Sequence, residues 1–261
     1  MLRLPSRPGP GRRAVVVAPA RIVLAALVMG ALGCANGPDL ATRLESSSRS
    51  AADRARDEAR EPAAVVEFLG IEPGMTVLDL IAAGGYYSEV LAIAVGPTGR
   101  VYAQNTAYTL ELRDGANEKA ISARLAHDRL PNVARLDREL TDLGLPPGSI
   151  DVAFTALNFH DIYNGRGPEA AVRVARIVHG VLAPDGFFAV IDHAGDPGRD
   201  NAKLHRIEES KVIESIESAG FVLADSSDVL RNPDDDRSQM VFADGVRGRT
   251  DRFVLKFRKA P

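Results

Sequence analysis

Val77-Leu78-Asp79-Leu80-Ile81-Ala82-Ala83-Gly84-Gly85-Tyr86-Tyr87-Ser88-Glu89 is the stretch on which the reading of this chain turns. Thr76–Leu80 is short, apolar and bounded by turn residues, which predicts a strand. Ala82 to Gly85 are all small, and Tyr87–Ala94 has the composition of a helix. A strand that carries an acid near its end and turns through small residues into a helix lets backbone approach a ligand closely. The free amides of the helix start then lie beside that ligand.

On either side of this stretch, strands and helices alternate. Upstream, Ala51, Ala55, Ala59 and Ala63 recur at four-residue spacing with charged residues between them, and Val65, Val66, Phe68 and Leu69 supply an apolar face. Pro62 marks the start of a second helix and Gly70 its end. Downstream, strands are predicted at Arg100–Ala103, Val133–Leu136, Ile150–Ala156, Phe187–Ile191, within Phe221–Val229, and at Arg252–Phe257. Helices are predicted over about 115–128, over Glu169–Leu182 and over Lys203–Ala219. Alternation of this kind implies an α/β domain: a Rossmann-like, seven-stranded, mostly parallel sheet with helices on both faces. Ligands of such sheets bind beyond the carboxyl ends of the strands, at the switch point. A nicotinamide-dependent reductase fits poorly, since the first turn lacks GxGxxG and no Tyr-x-x-x-Lys pair occurs.

The N-terminus reads differently. Arg3, Arg7, Arg12, Arg13 and Arg21 precede the uncharged run Ile22 to Gly33. Twelve residues make a helix of about 18 Å, short of the roughly 30 Å hydrocarbon core, which matches an export signal better than a membrane anchor. Ala31-Leu32-Gly33-Cys34 resembles a lipobox, with Cys34 the lipidated residue; cleavage after Ala35 to give a soluble periplasmic protein is the alternative. The expected organisation is a signal over 1–34, a tether over 35–50 and one domain over 51–261. The protein is expected to be exported and periplasmic, touching the membrane only through a lipidated Cys34. Cys34 is the sole cysteine, so the domain has no internal disulfide. With 32 basic and 35 acidic side chains the formal charge is −3, which argues against nucleic acid as a partner.

Beyond the opening stretch, the chain carries Asp53-Arg54-Ala55-Arg56-Asp57-Glu58-Ala59-Arg60, Asn158-Phe159-His160-Asp161, Asp192-His193-Ala194, Leu230 to Arg237 and Gly248 to Lys259. With these motifs the domain resembles the class I S-adenosylmethionine-dependent methyltransferases, and within them the exported bacterial proteins described as predicted methyltransferases. The resemblance covers about 50–261. It implies S-adenosylmethionine as cofactor, held by Asp79, Ala83, Gly84, Gly85 and Tyr86. Gly85 matches the last glycine of the family's loop, whereas Ile81 and Ala83 stand where the first two lie. Asn105 stands where the family has an acid for the ribose hydroxyls; ribose binding and a plain chain turn are equal readings of it. Glu139 or Asp142 would face the adenine.

The implied catalytic group is Asn158, His160 and Asp161, with His160 as a general base oriented by Asp161 or Asp192. Tyr87, Tyr163, Asp192 and His193 are substrate-side candidates. The alternative is a hydrogen-bonded loop that holds the following helix. No HxH or HxxxH spacing is present, so no metal site is expected. The acidic run Asp234-Asp235-Asp236 is expected to fold over through ion pairs with Arg231 and Arg237 rather than to bind calcium. The implied function is methyl transfer to an acceptor in the cell envelope. The alternative is a repurposed domain of the same fold that binds a different small ligand in the periplasm.

Overall fold

The computed structural model describes residues 1–2 and 39–261; the rest of the expected export signal and Cys34 lie outside them. Seven strands, β1 (Thr76–Leu80), β2 (Arg100–Asn105), β3 (Val133–Asp137), β4 (Ile150–Ala156), β5 (Leu182–His193), β6 (Phe221–Ser227) and β7 (Arg252–Lys259), form one sheet. Its order is β3-β2-β1-β4-β5-β7-β6. All neighbours pair in parallel except β7, which runs antiparallel to both β5 and β6. The order reverses between β1 and β4, so the switch point lies at the carboxyl ends of those two strands.

Nine helices flank the sheet among the described residues: α1 (Leu40–Leu44), α2 (Ala51–Arg60), α3 (Pro62–Leu69), α4 (Tyr86–Val95), α5 (Ala107–Leu125), α6 (Phe159–Arg166), α7 (Pro168–Val181), α8 (Asn201–Leu204) and α9 (Glu209–Glu217). Strand periodicity of two divides the core. Val77, Val101, Val152, Phe154, Ala189 and Val254 pack with α1, α3 and α4. Leu78, Leu80, Phe188, Val190, Leu255 and Phe257 pack with α6, α7 and α9. The inner strands are therefore apolar on both faces, as a sheet covered on both sides requires. Asp79 falls on the same face as Val77, beneath α4.

Several boundaries differ from the sequence reading. Among the described residues the folded unit already includes α1 (Leu40–Leu44), ahead of 51. Within the expected tether, Leu44 is buried, and Arg49 is buried while bonding Asp57 and the Leu44 carbonyl. The charges of α2 make tertiary ion pairs as well as a local one: Asp53 takes Arg124 besides Arg56, and Asp57 takes Arg49 and the Tyr86 hydroxyl. Phe159–Arg166, most of which the sequence reading left in the loop after the fourth strand, form α6. The predicted helix over Lys203–Ala219 is interrupted by a bridge between Ala194 and Ile207. Buried Arg206, paired with Asp235, anchors that break. The acidic run folds over through partners other than those expected: Asp235 pairs with Arg206, while Arg231 bonds Glu209 and Asp228 and Arg237 bonds Asp196 and Asp251. No helix among the described residues is long and apolar enough to cross a membrane.

Candidate active site

The loop after β1 has the shape of a glycine loop without the glycines. Ile81 and Ala83 sit at φ of 55° and 50°, in the left-handed region that disfavours side chains, a branched one above all. Three amide side chains from neighbouring strand ends hold them there. Gln104 accepts from the Ile81 N–H at 2.9 Å, and Asn158 donates to the Ile81 carbonyl at 3.1 Å. Asn105 accepts from the Ala83 N–H at 2.8 Å and donates to the Ala83 carbonyl at 3.1 Å. Gly84 and Gly85 lie under α5: a Cβ on Gly85 would come 2.5 Å from Ile121 Cδ1, and one on Gly84 would come 2.9 Å from Ala120. The Arg124 guanidinium seals this contact by donating to the Gly84 carbonyl at 2.8 Å.

Two cavities open beyond the strand ends and share Ile81, Ala83, Leu157 and Asn158 as walls. The larger, about 630 Å³, runs beneath Thr106, Tyr108, Leu140 and Ile162. Its lining joins the exposed apolar side chains Tyr108, Leu112 and Phe242, the first and last 65% and 43% exposed, to Arg113, Arg166 and His205. The smaller, about 380 Å³, is lined by Asp79, Tyr86, Tyr87, His160 and His193, with Arg56, Arg60 and Arg124 on its wall. Arg60 makes no ion pair among the described residues and lies over the Tyr86 ring at 4.4 Å.

Two histidines in the smaller cavity are set apart electrostatically. Burial works against a charge on His160, but Asp192 and Asp161 outweigh it and push the imidazolium up to about 10. His160 Nδ1 lies 2.7 Å from Asp192 Oδ1, and its backbone N–H donates to the other carboxylate oxygen at 2.8 Å. Asp192 thus caps the start of α6, where Asn158 makes no side-chain cap. His193 is driven well below the usual range, by burial first and then by the charge on His160. One imidazole is a cation and its neighbour is neutral, with ring centroids 5.8 Å apart. Asp161, 61% exposed at its side chain, is held below the usual carboxylate range; partial burial opposes this, and the nearby charge of His160 prevails. Burial pushes the Asp79 carboxyl up to about 7, tempered by the Ser88 hydroxyl donating to it at 2.6 Å.

A seven-stranded sheet with one antiparallel strand, its loops meeting in a divided cavity over the β1–β4 switch point, decides the comparison with solved structures. The fold is that of class I methyltransferases. A S-adenosylmethionine-dependent methyltransferase from Aquifex aeolicus superposes with a TM-score of 0.59 at 21% identity, over 85% of this chain and 98% of its own. The [4+2]-cyclase SpnF shares the fold with a TM-score of 0.55 at 19% identity, over 83% and 85% of the two chains. The mitomycin 7-O-methyltransferase MmcR gives 0.54 at 17% identity, over 87% of this chain and 62% of its own. At these identities the likeness is one of fold. No protein-family model matches the chain.

The structure brings Asp79, Ala83, Gly84, Tyr86, Tyr87, Asn158, His160, Asp161 and His193 to the cavity walls. Their roles shift. Asp192 and Asp161 hold the proton on His160, which works against the general-base role expected of it. Asn158 holds two backbone carbonyls, of Ile81 and Ala156, rather than facing a substrate with a free amide. Asp192 is fully buried and acts through His160. Asn105 is buried with its amide engaged by Ala83, so of the two equal readings the structure favours the one in which it shapes the chain. Glu139 and Asp142 line neither cavity, because it is Leu140 between them that turns inward. Tyr163 packs against the core. The sequence reading missed Thr106, Tyr108, Arg60 and His205. Only the α2 motif hinted at Arg60, and no spacing marks the others.

Proposed function

We propose that this chain is a S-adenosylmethionine-dependent methyltransferase, its cofactor in the larger cavity and its acceptor in the smaller. The observation that carries the reading is the divided cavity over the switch point, with exposed Tyr108 and Leu112 on the cofactor side and Arg56, Arg60 and Arg124 on the wall of the other. Cavities of several hundred Å³ with a few converging polar groups are the usual form of a small-ligand site. When bound, S-adenosylmethionine supplies a sulfonium methyl group to a nucleophile. Thr106, Tyr108 and Leu140 are placed to hold the adenosine moiety, and the shape of the Ile81–Gly85 loop is kept for the methionine moiety. The fit fails at one point: with Asn105 engaged, no carboxylate meets the ribose.

On the acceptor side, Arg60 and the His160 cation favour an anionic molecule, and the neutral His193 is the group able to accept a hydrogen bond from the nucleophile. Its Nδ1 lies 2.8 Å from the Thr250 hydroxyl, which fixes the ring. Titration of the full chain with S-adenosylmethionine and S-adenosylhomocysteine by calorimetry tests the cofactor assignment. Heat saturating at one equivalent is expected, and none at millimolar ligand defeats it.

The engaged Asn105 favours a second reading, in which the domain holds a different small ligand in the same cavity; the cyclase SpnF has this fold under another reaction name. A library of nucleosides and small organic anions screened by thermal shift separates the two. The export signal over 1–34 and lipidation at Cys34 complete the proposal and place the acceptor in the cell envelope. Labelled palmitate should enter the wild type and be lost in Cys34→Ala.

A further inference from the structure

Two separate segments of chain converge where the two cavities meet. His160 and Asp161 open α6, and His205 follows α8. His160 Nε2 lies 3.2 Å from Asp161 Oδ1, and His205 Nδ1 lies 3.3 Å from the same oxygen. One ligand atom from each of the three residues falls within 4.8 Å of the others. We propose that His160, Asp161 and His205 form a site for a divalent transition metal, zinc above all, with its open coordination positions facing the cavities.

The donor set is the first argument. Two imidazoles and one carboxylate suit zinc and ferrous ions, and three protein ligands leave room for water or substrate. Spacing is the second. Ligand atoms about 2.1 Å from a metal are about 3.0 Å apart at right angles and about 3.4 Å apart in a tetrahedron. The two separations from Asp161 Oδ1 fall between these values.

Orientation is the third argument. With His160 Nδ1 bonded to Asp192, Nε2 is the nitrogen left for a metal, the carboxylate–histidine–metal arrangement that fixes ring and tautomer. Asp192 is itself held by the N–H groups of His160 and His193, each at 2.8 Å. Nε2 is buried without a hydrogen-bond partner, because the nearby Asp161 oxygen lies off the axis of an N–H bond. A buried polar atom left this way is costly unless something fills the gap.

His205 is also held in place from behind. It adopts φ 54° and ψ 47°, an uncommon conformation for its kind. The next residue, Arg206, is fully buried and bonds Asp235 in bidentate fashion, at 2.8 and 3.0 Å, and the Ala194 carbonyl at 3.1 Å. Asn164 of α6 donates to the Arg206 carbonyl at 2.9 Å. Local strain persists where surroundings over-determine it, and such positions cluster at ligand sites. The acidic run therefore has a purpose: Asp235 anchors the segment that presents His205.

The site does not depend on methyl transfer, and its test uses neither cofactor nor acceptor. The full chain, stripped with a chelator, is titrated with Zn²⁺ by calorimetry and with Co²⁺ by visible absorption. One saturable equivalent is expected, with cobalt bands of a low-coordination nitrogen–oxygen site. His205→Asn, which tolerates the left-handed backbone, and Asp161→Asn should each weaken binding at least tenfold while circular dichroism stays unchanged. His127→Gln, remote from the cluster, should leave affinity as it was. Absence of a saturable equivalent in the wild type overturns the proposal. So does wild-type affinity in both site variants, which would place the metal elsewhere, for example on Asp234 and Asp236.

Discussion

Replacing Asp79 by Asn should make the protein more stable at pH 8 and leave it unchanged at pH 4. Asp79 is 2% exposed beneath α4, and the one hydrogen bond its side chain receives is from Ser88. Burial raises its pKa from 3.8 to about 7 in the folded chain. The folded state therefore holds the proton more tightly than the unfolded one, and stability falls wherever the unfolded state carries fewer protons. The stabilising effect of the bound proton is complete below about pH 4, declines as pH rises and is gone above the folded-state pKa of about 7. At about 1.4 kcal/mol per unit, the full span is at most about 4 kcal/mol. Asn has the same shape and never ionises, so Asp79→Asn removes this decline. Urea midpoints of both proteins from pH 4 to pH 9 give the difference directly, since contributions of other groups cancel in the subtraction. The difference should be near zero at pH 4, grow between pH 4 and 7, and then level. Two parallel curves, whatever their separation, would refute the burial argument, because they would mean that Asp79 titrates alike in both states.

Three further outcomes follow from the loop. Ala83→Gly should leave the urea midpoint unchanged or raise stability by up to about 1 kcal/mol, since φ is 50° there; Ala→Gly at an ordinary position costs about 0.5–1 kcal/mol, and a loss of that size would show that the residue is unstrained. Gly85→Ala should cost about 1–3 kcal/mol in the same assay, because its Cβ meets Ile121 and Arg124 at a positive φ. Asn105→Asp should cost about 1–3 kcal/mol by losing the donor to the Ala83 carbonyl. The double variant with Ala83→Gly should lose less than the sum of the two; strict additivity would mean that the two positions are independent.

Much of this fold was legible because its signals are local. Apolar runs that follow a Gly or Pro turn marked the first six strands, alternating charge and bulk marked the seventh, and the small residues after Leu80 marked the switch-point loop. Failures came where tertiary contacts outweighed composition. Residues 39–50 are polar enough to read as a tether, yet Arg49 reaches an interior ion pair with Asp57. Asn, Asp and Gly are poor helix formers, so α6 looked like a loop until Asp192, distant in sequence, capped it. The site suffered most. His160 was visible, but its protonation is set by Asp192 and Asp161 together. His205 lies forty-four positions from Asp161 in sequence, and only the break after α8 brings them together.

The two departures from the methyltransferase pattern that the sequence resembles, Ile81 and Ala83 at glycine positions and an Asn in place of an acid, are in physical terms one change. Without glycine, the left-handed turns at Ile81 and Ala83 must be imposed from outside. Imposing them at Ala83 takes a side chain that accepts from its N–H and donates to its carbonyl at once. A carboxylate only accepts; an amide does both. Asn105 is thus what keeps the loop's shape after the glycines have gone, and the adjacent Gln104 does the same for Ile81 by bonding its N–H and the Arg138 carbonyl. The consequence falls on ligand choice. A site that keeps the loop's shape but gives up its carboxylate has lost the group that would favour a ribose, and its remaining selectivity must come from Thr106, Tyr108 and Leu112. The cofactor titration and the Asn105→Asp variant therefore test one idea from two sides: if Asn105→Asp binds S-adenosylmethionine no better than the wild type while losing stability, position 105 serves the loop alone.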